Sequence, residues 1–254
     1  MKKAVECGEN ALKIALDNNF LEVAVEAYNG LAISLPRKEL RRILECFERG
    51  YELARQVGDI WYQCRIGHNI ASVIGQGANI ERALSLAEEN LALARKAGHL
   101  SNISGGLNAF GLVHMVLGEW DRSERYLQES WSINERLKDF QGMSINMEAF
   151  GLLCVAKGEY AKAAEWLERL SVHKKKAGEE VEFSEQRGSS WLISAYIELG
   201  EIEKANNQID ILRESALEMA DDYLSATSNT LKAMVLRAQK RWDESVKLFE
   251  KGLQ

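Results

Sequence analysis

Proline is nearly absent from this chain: one residue, Pro36, stands among 254. Such scarcity removes the usual punctuation of loop-rich and β-rich domains. No stretch alternates polar and apolar residues for long, whereas apolar residues return at three- and four-residue spacing throughout, the period of helices. Cysteine is also sparse. Cys7, Cys46, Cys64 and Cys154 form no CxxC pair and lie in apolar helical contexts, which excludes a cysteine metal ribbon and fits small packed hydrophobes in a reducing cytoplasm. Long hydrophobic runs are missing. The opening "MKKAVECGENALKIALDNNF" mixes Glu6, Glu9, Lys13 and Asp17 into its apolar residues, so neither a signal sequence nor a membrane span is expected. Basic residues are in the minority, 32 against 38 acidic ones for a net charge of -6, a balance that repels phosphate backbones and excludes direct nucleic-acid binding. What remains is 46% hydrophobic and 28% charged, the composition of a folded chain with a sizeable core.

The order that fills this composition is a repeat. "GEWDRSERYLQES" at 118–130 returns as "GEYAKAAEWLERL" at 158–170, forty residues on. The same column continues through Ala78, Gly118, Gly158, Gly200 and Lys240. Two residues later comes a large apolar residue, Ile80, Trp120, Tyr160, Ile202 or Trp242, and three further on a small one, Ala83, Ser123, Ala163, Ala205 or Ser245. Another small series, Ala71, Gly111, Gly151 and Ala233, precedes each turn by seven residues, with Ile193 as its exception. Small residues in the middle of two antiparallel helices let their backbones approach, and the bulky residue after the turn is expected to plug the closed end of the hairpin. A third column, Gly58, Gly98, Lys138, Gly178 and Ala220, suits left-handed helix stops. Its followers Asp59, His99, Asp139, Glu179 and Asp221 suit the starts of the next helices.

A hairpin with apolar residues on two sides must stack on its neighbours. The sequence therefore predicts an all-α fold, a right-handed superhelical solenoid of antiparallel helix hairpins over residues 1–254. Residues 1–18 read as a lone second helix, with Asn18 in the stop column. Repeats follow at about 19–58, 59–98, 99–138, 139–178 and 179–220, and 221–254 is a partial last repeat. Gly111 and Gly151, Gly118 and Gly158, Trp120 and Tyr160, and Ser123 and Ala163 stand in an order that resembles the tetratricopeptide repeat family. The step of 40 to 42 residues exceeds that family's usual 34 and looks like the longer variant of kinesin light chains and of sensor regions in prokaryotic regulators. The resemblance implies a non-catalytic protein-interaction scaffold, the sensor or docking region of a larger regulatory protein.

Chemistry-bearing motifs are lacking. No GxxxxGK[ST] loop occurs, and Gly75-Gln76-Gly77 sits at a hairpin turn. His68, His99, His114 and His173 lack a second ligand at metal spacing, and His114 reads as a packed core residue. Lys174-Lys175-Lys176 ends a helix, where positive charge complements the dipole. Neither cofactor, metal nor enzymatic activity is expected. In a stack of hairpins the first helices line the inner face. Its inward positions are Arg65, His68, Asn69 and Ser72; Asn108, Leu112 and Met115; Glu148 and Leu152; Arg187, Ser190, Trp191 and Ser194; and Thr230, Met234 and Arg237. Amides such as Asn69 and Asn108 suit a peptide backbone, and Met115 and Trp191 suit apolar anchors, so a peptide or helix is the expected partner. Lysine is absent from these positions, which argues against a clamp for a C-terminal carboxylate. The alternative is self-association, with the terminal helices pairing between two chains as a homodimer.

Overall fold

The computed structural model describes residues 2–36, 39–75, 80–177, 185–219 and 222–252, and among them thirteen helices and no strand occur. In order they are α1 (Lys2–Asp17), α2 (Leu21–Ser34), α3 (Leu40–Val57), α4 (Ile60–Gly75), α5 (Ile80–Ala97), α6 (Leu100–Val116) and α7 (Trp120–Leu137). Then come α8 (Phe140–Ala156), α9 (Tyr160–Ala177), α10 (Glu185–Glu198), α11 (Ile202–Met219), α12 (Asp222–Ala238) and α13 (Trp242–Gly252). Two compact units divide the chain, Met1–Gly142 and Met143–Gln254, with the division in the first turn of α8. The first unit stacks the hairpins α2/α3, α4/α5 and α6/α7 behind the lone α1; α2 meets α4 and α4 meets α6. In the second unit α9 packs on α10, α10 on α11 and α12, and α12 on α11 and α13.

Backbone closure is uniform. At each described helix end of this kind one residue takes a left-handed conformation: Asn19, Gly58, Gly98, Gly118, Lys138, Gly158, Gly200 and Lys240, with φ between 55 and 76 degrees. Each donates its N–H three residues back and the next N–H reaches five back, as in Gly58 to Arg55 at 3.3 Å and Asp59 to Ala54 at 2.9 Å. This pair of bonds satisfies carbonyls that a helix end otherwise leaves open. In the first linker the left-handed residue is Asn19 rather than Asn18, because Phe20 closes on Ala15. The acids after two stops cap the next helix as expected: Asp59 accepts from the Tyr62 N–H and Asp139 from the Gly142 N–H, both at 2.9 Å. Gly178, Ala220, Glu179 and Asp221 lie outside the described residues.

Packing confirms the small columns. A Cβ on Gly111 would stand 2.6 Å from the Leu127 side chain and 3.3 Å from the Ser123 carbonyl oxygen, and one on Gly151 would stand 2.6 Å from Leu167. Ser245 donates to the Ala233 carbonyl at 2.8 Å, joining the same two columns in the last hairpin. Two of the bulky residues after the turns do not plug their hairpins, Trp120 being 40% and Trp242 59% exposed, whereas Tyr160 and Ile202 are half-buried and Ile80 packs on the core. With backbones already in contact at the small residues, no gap of tryptophan size is left. In the first unit one buried cluster runs from Val25, Leu31 and Phe47 through Ile66, Ile70, Ala83 and Val113, and a second gathers Ala71, Ala87, Leu91, Leu107 and Phe110. Charged pairs stay outside it. Arg42 with Glu9, Arg82 with Glu48 at 2.6 Å and Arg95 with Glu129 at 3.4 Å link successive second helices at exposed positions, each contributing little.

Lys138 holds a left-handed conformation, φ 55, where Gly58 and Gly98 serve the neighbouring repeats. A Cβ there costs about 1 kcal/mol. Lys138→Gly should therefore raise the denaturant midpoint by the equivalent of about 0.5–1 kcal/mol at unchanged m-value, while Gly98→Ala should lower it.

Candidate functional site

The positions expected to face inward in the first unit lie on α4 and α6. Along α4, Arg65 is exposed while His68 and Asn69 are half-buried; along α6, Asn108 is buried and Leu112 and Met115 are half-buried. These elements are held to each other by polar bonds between repeats. Asn69 Nδ2 donates to Asn29 Oδ1 of α2 at 3.2 Å, and Asn102 Nδ2 donates to the Trp61 carbonyl at 3.3 Å. Asn69 is thereby committed to its neighbour instead of standing free for a ligand. Asn29, absent from the inward set, announces itself in the sequence by standing 40 residues before Asn69. Trp61 was also missed. Its ring lies 5.0 Å beneath the Arg65 guanidinium and meets Tyr62 edge-on at 4.7 Å, and Trp–Arg at i, i+4 is the spacing that permits this stack.

His68 and Asn108 occupy the same position in successive repeats, and neither is fully satisfied. The Nδ1 of His68 and both the Nδ2 and Oδ1 of Asn108 are buried without a hydrogen-bond partner, although Asn108 is only 2% exposed. The His68 ring engages the main chain of Gly105 on α6, and with Nδ1 unpartnered this falls to Nε2. A neutral ring donating through Nε2 leaves Nδ1 an acceptor. Burial, and secondarily the Arg65 charge, pushes the His68 pKa down to about 4, against a smaller opposing effect of the Gly105 main chain.

His114 is the packed residue expected. It is buried, stacks on Tyr126 at 5.3 Å and Phe110 at 5.9 Å, and its Nδ1 lies 2.8 Å from Glu119 Oε2. Arg122 and, after it, His114 hold the Glu119 carboxyl below its ordinary pKa. It reinforces the α6/α7 turn and does not belong to the stripe.

The second unit carries its own set of positions expected to face inward. Trp191 is 39% exposed, Ser190 and Ser194 beside it are half-buried, and Ser194 Oγ donates to the Ser190 carbonyl at 3.0 Å. On α12, Thr230 and Arg237 are exposed and Met234 is half-buried; on α8, Glu148 and Leu152 are half-buried. The side chains of Ser72 and Arg187 lie outside the described residues. Among the described residues no group of three His, Cys, Asp or Glu side chains is placed to hold a metal ion, and no helix is long and apolar enough to cross a membrane.

With these hairpins in view, solved structures give the comparison. A Rap protein complexed with competence and sporulation factor matches with a TM-score of 0.75 at 13% identity, over 90% of this chain and 63% of that one. Aspartyl phosphate phosphatase F from Bacillus subtilis matches with a TM-score of 0.65 at 13% identity, over 93% of this chain and 62% of that one. TPR-like repeats of a putative kinesin light chain from Podosopora anserina match with a TM-score of 0.59 at 16% identity, over 75% of this chain and 92% of that one. The fold is that of tetratricopeptide-like repeats. This chain spans somewhat under two thirds of the length of the Rap protein and of the phosphatase. No protein-family model matches the sequence, and no curated protein matches it.

Because the folded His68 pKa lies below the unfolded one, the unfolded chain binds more protons between the ordinary histidine value near 6.5 and about 4. Stability therefore falls as pH drops through that window. Urea melts at pH 7, 6, 5 and 4.5 should show that decline, and His68→Gln should make it shallower.

Proposed function

We propose that the chain is a non-catalytic protein-binding scaffold, the sensor or docking region of a larger regulatory protein, which receives a peptide or helix on the inner faces of its first helices. The observation that carries this reading is the stripe itself. In the first unit half-buried Leu112 and Met115 stand with His68 and Asn108, which have spare bonding capacity, and in the second unit half-buried Met234 and exposed Trp191 supply apolar positions. Grooves that hold peptides combine apolar anchors with main-chain-directed donors and acceptors in this way. That a Rap protein of similar fold was solved in complex with competence and sporulation factor fits the reading. Repeats stabilised by stacking on neighbours also leave their inner faces free to vary. Affinity capture from lysate with the wild-type chain and with Trp191→Ala plus Leu112→Glu should yield a protein retained only by the wild type. Equal capture by both removes the inner faces from consideration.

A second reading, a homodimer through the terminal helices, is favoured by one observation on α1. With the left-handed stop at Asn19, Ala4, Gly8, Ala11 and Ala15 take the places of Ile43, Phe47, Gly50 and Ala54; Ala15 is buried as Ala54 is, but Ala4 and Ala11 are exposed, and so is Ile14 at 60%. A second chain supplying a helix there would complete the hairpin. Light scattering at increasing concentration should show mass rising from monomer to dimer on this reading; a constant monomer mass excludes it.

A further inference from the structure

The helices α3, α5 and α7 each pack on the first helix that precedes them, α2, α4 and α6, whereas α1 packs on the helix that follows it. One side of α1 is used in that contact. Val5 and Leu12 pack on the buried cluster, Gly8 stands against Leu31, and Ala15 is buried. The opposite side carries Lys3, Cys7, Asn10 and Ile14, spaced by four, three and four residues, so that they form one stripe along the helix. All four are exposed. Along one flank Ala4 and Ala11 are exposed as well, in the places where α3 buries Ile43 and Gly50.

Charge indicates what fits this stripe. Glu6 and Lys13 lie along its other flank, one residue before Cys7 and Ile14, with Lys3 towards one end of the helix and Asp17 at the other. None of these four charges forms an ion pair among the described residues, while their neighbour Glu9 is held by Arg42 of α3. The pattern complements itself when reversed. A second copy of α1 laid antiparallel sets Glu6 beside Lys13 of the partner subunit and Lys13 beside the partner's Glu6. The same register sets Ala4 beside the partner's Ala11 and Cys7 beside the partner's Asn10, and brings the Lys3 end towards the partner's Asp17. A parallel copy instead stacks Lys3 on the partner's Lys3 and Asp17 on the partner's Asp17, opposing like charges. Self-complementarity under reversal is what a two-fold contact between identical surfaces requires.

We propose that α1 pairs antiparallel with α1 of a second copy of this chain, about a two-fold axis between Gly8 and Glu9, with Glu6 and Lys13 forming ion pairs across it. This rests on the homodimer reading and makes it specific: the contact belongs to α1, and α13 lies outside it. Ile14 and Cys7 supply its apolar atoms, Ala4 and Ala11 let the two backbones approach, and Asn10 fixes the register at some cost in stability. The helix has 16 residues and is about 24 Å long. So short a seam falls in the weak class of interfaces, below about 1,200 Å², and the dimer dissociates in the micromolar range.

The test is sedimentation equilibrium of the full chain across micromolar concentrations, for wild type, Glu6→Lys, Lys13→Glu, the double variant, and an equimolar mixture of the two single variants. Each single reversal sets two pairs of like charges against each other and should weaken self-association by about tenfold. The double variant restores both attractions, and so does the mixture, in which one chain presents two lysines to two glutamates of the other; both should return to the wild-type constant. Circular dichroism and Tm should stay at wild type in every variant, because both side chains are exposed. Trp242→Ala on α13 should leave the association constant unchanged. A wild-type chain that remains monomeric at every concentration overturns this proposal and the homodimer reading together. A dimer that ignores the single reversals, that neither the double variant nor the mixture restores, or that Trp242→Ala dissociates overturns the α1 pairing and leaves a homodimer through another surface.

Discussion

Everything in the hairpins depends on how closely two helix backbones approach at residues without bulk. Leu127 fits against α6 because residue 111 has no side chain, and Leu167 fits against α8 because residue 151 has none. Once the axes are that near, the surface left over on each helix is fixed. One flank of α4 or α6 meets its own second helix and others meet the neighbouring hairpins, and the stripe expected to face inward lies on what remains. The stripe's composition is thus a by-product of where glycine, alanine and serine fall in the repeat. Larger residues at those places would rotate or separate the helices and change which side chains face inward.

Much of this was legible because a forty-residue period repeats every local decision several times. The left-handed stops at Gly58, Gly98 and Lys138, the caps at Asp59 and Asp139, and the contact of Gly111 with Ser123 all follow from column alignment alone. Two features did not. Trp120 and Trp242 were expected to fill space that close backbone contact had already removed, a three-dimensional consequence that a column of aromatic residues does not display. Asn69 was read as free, although its partner Asn29 sits one period earlier; a period identifies equivalent positions but not which equivalent side chains bond across the stack.

The inner faces divide chemically as well. In the first unit the residues expected to face inward combine amide, imidazole and guanidinium with two flexible apolar side chains, while in the second Trp191, Leu152 and Met234 stand with Ser190, Ser194, Thr230, Glu148 and Arg237. Satisfied polar groups, such as Asn69 with Asn29, stiffen the stack, whereas unsatisfied ones, such as Asn108, hold bonding capacity in reserve. The distinction between a paired and an unpaired amide was invisible in the sequence, where both are asparagines on first helices. It lies in the presence or absence of a partner one repeat away.

The turns of this chain close through main-chain amides and carbonyls at eight described junctions, with glycine, asparagine or lysine alike in the left-handed seat. Any residue that tolerates that seat preserves the connection, so mutation can exchange the side chains around it without unmaking the architecture. Very different letters can then carry one shape, and 13% identity coexists with a TM-score of 0.75.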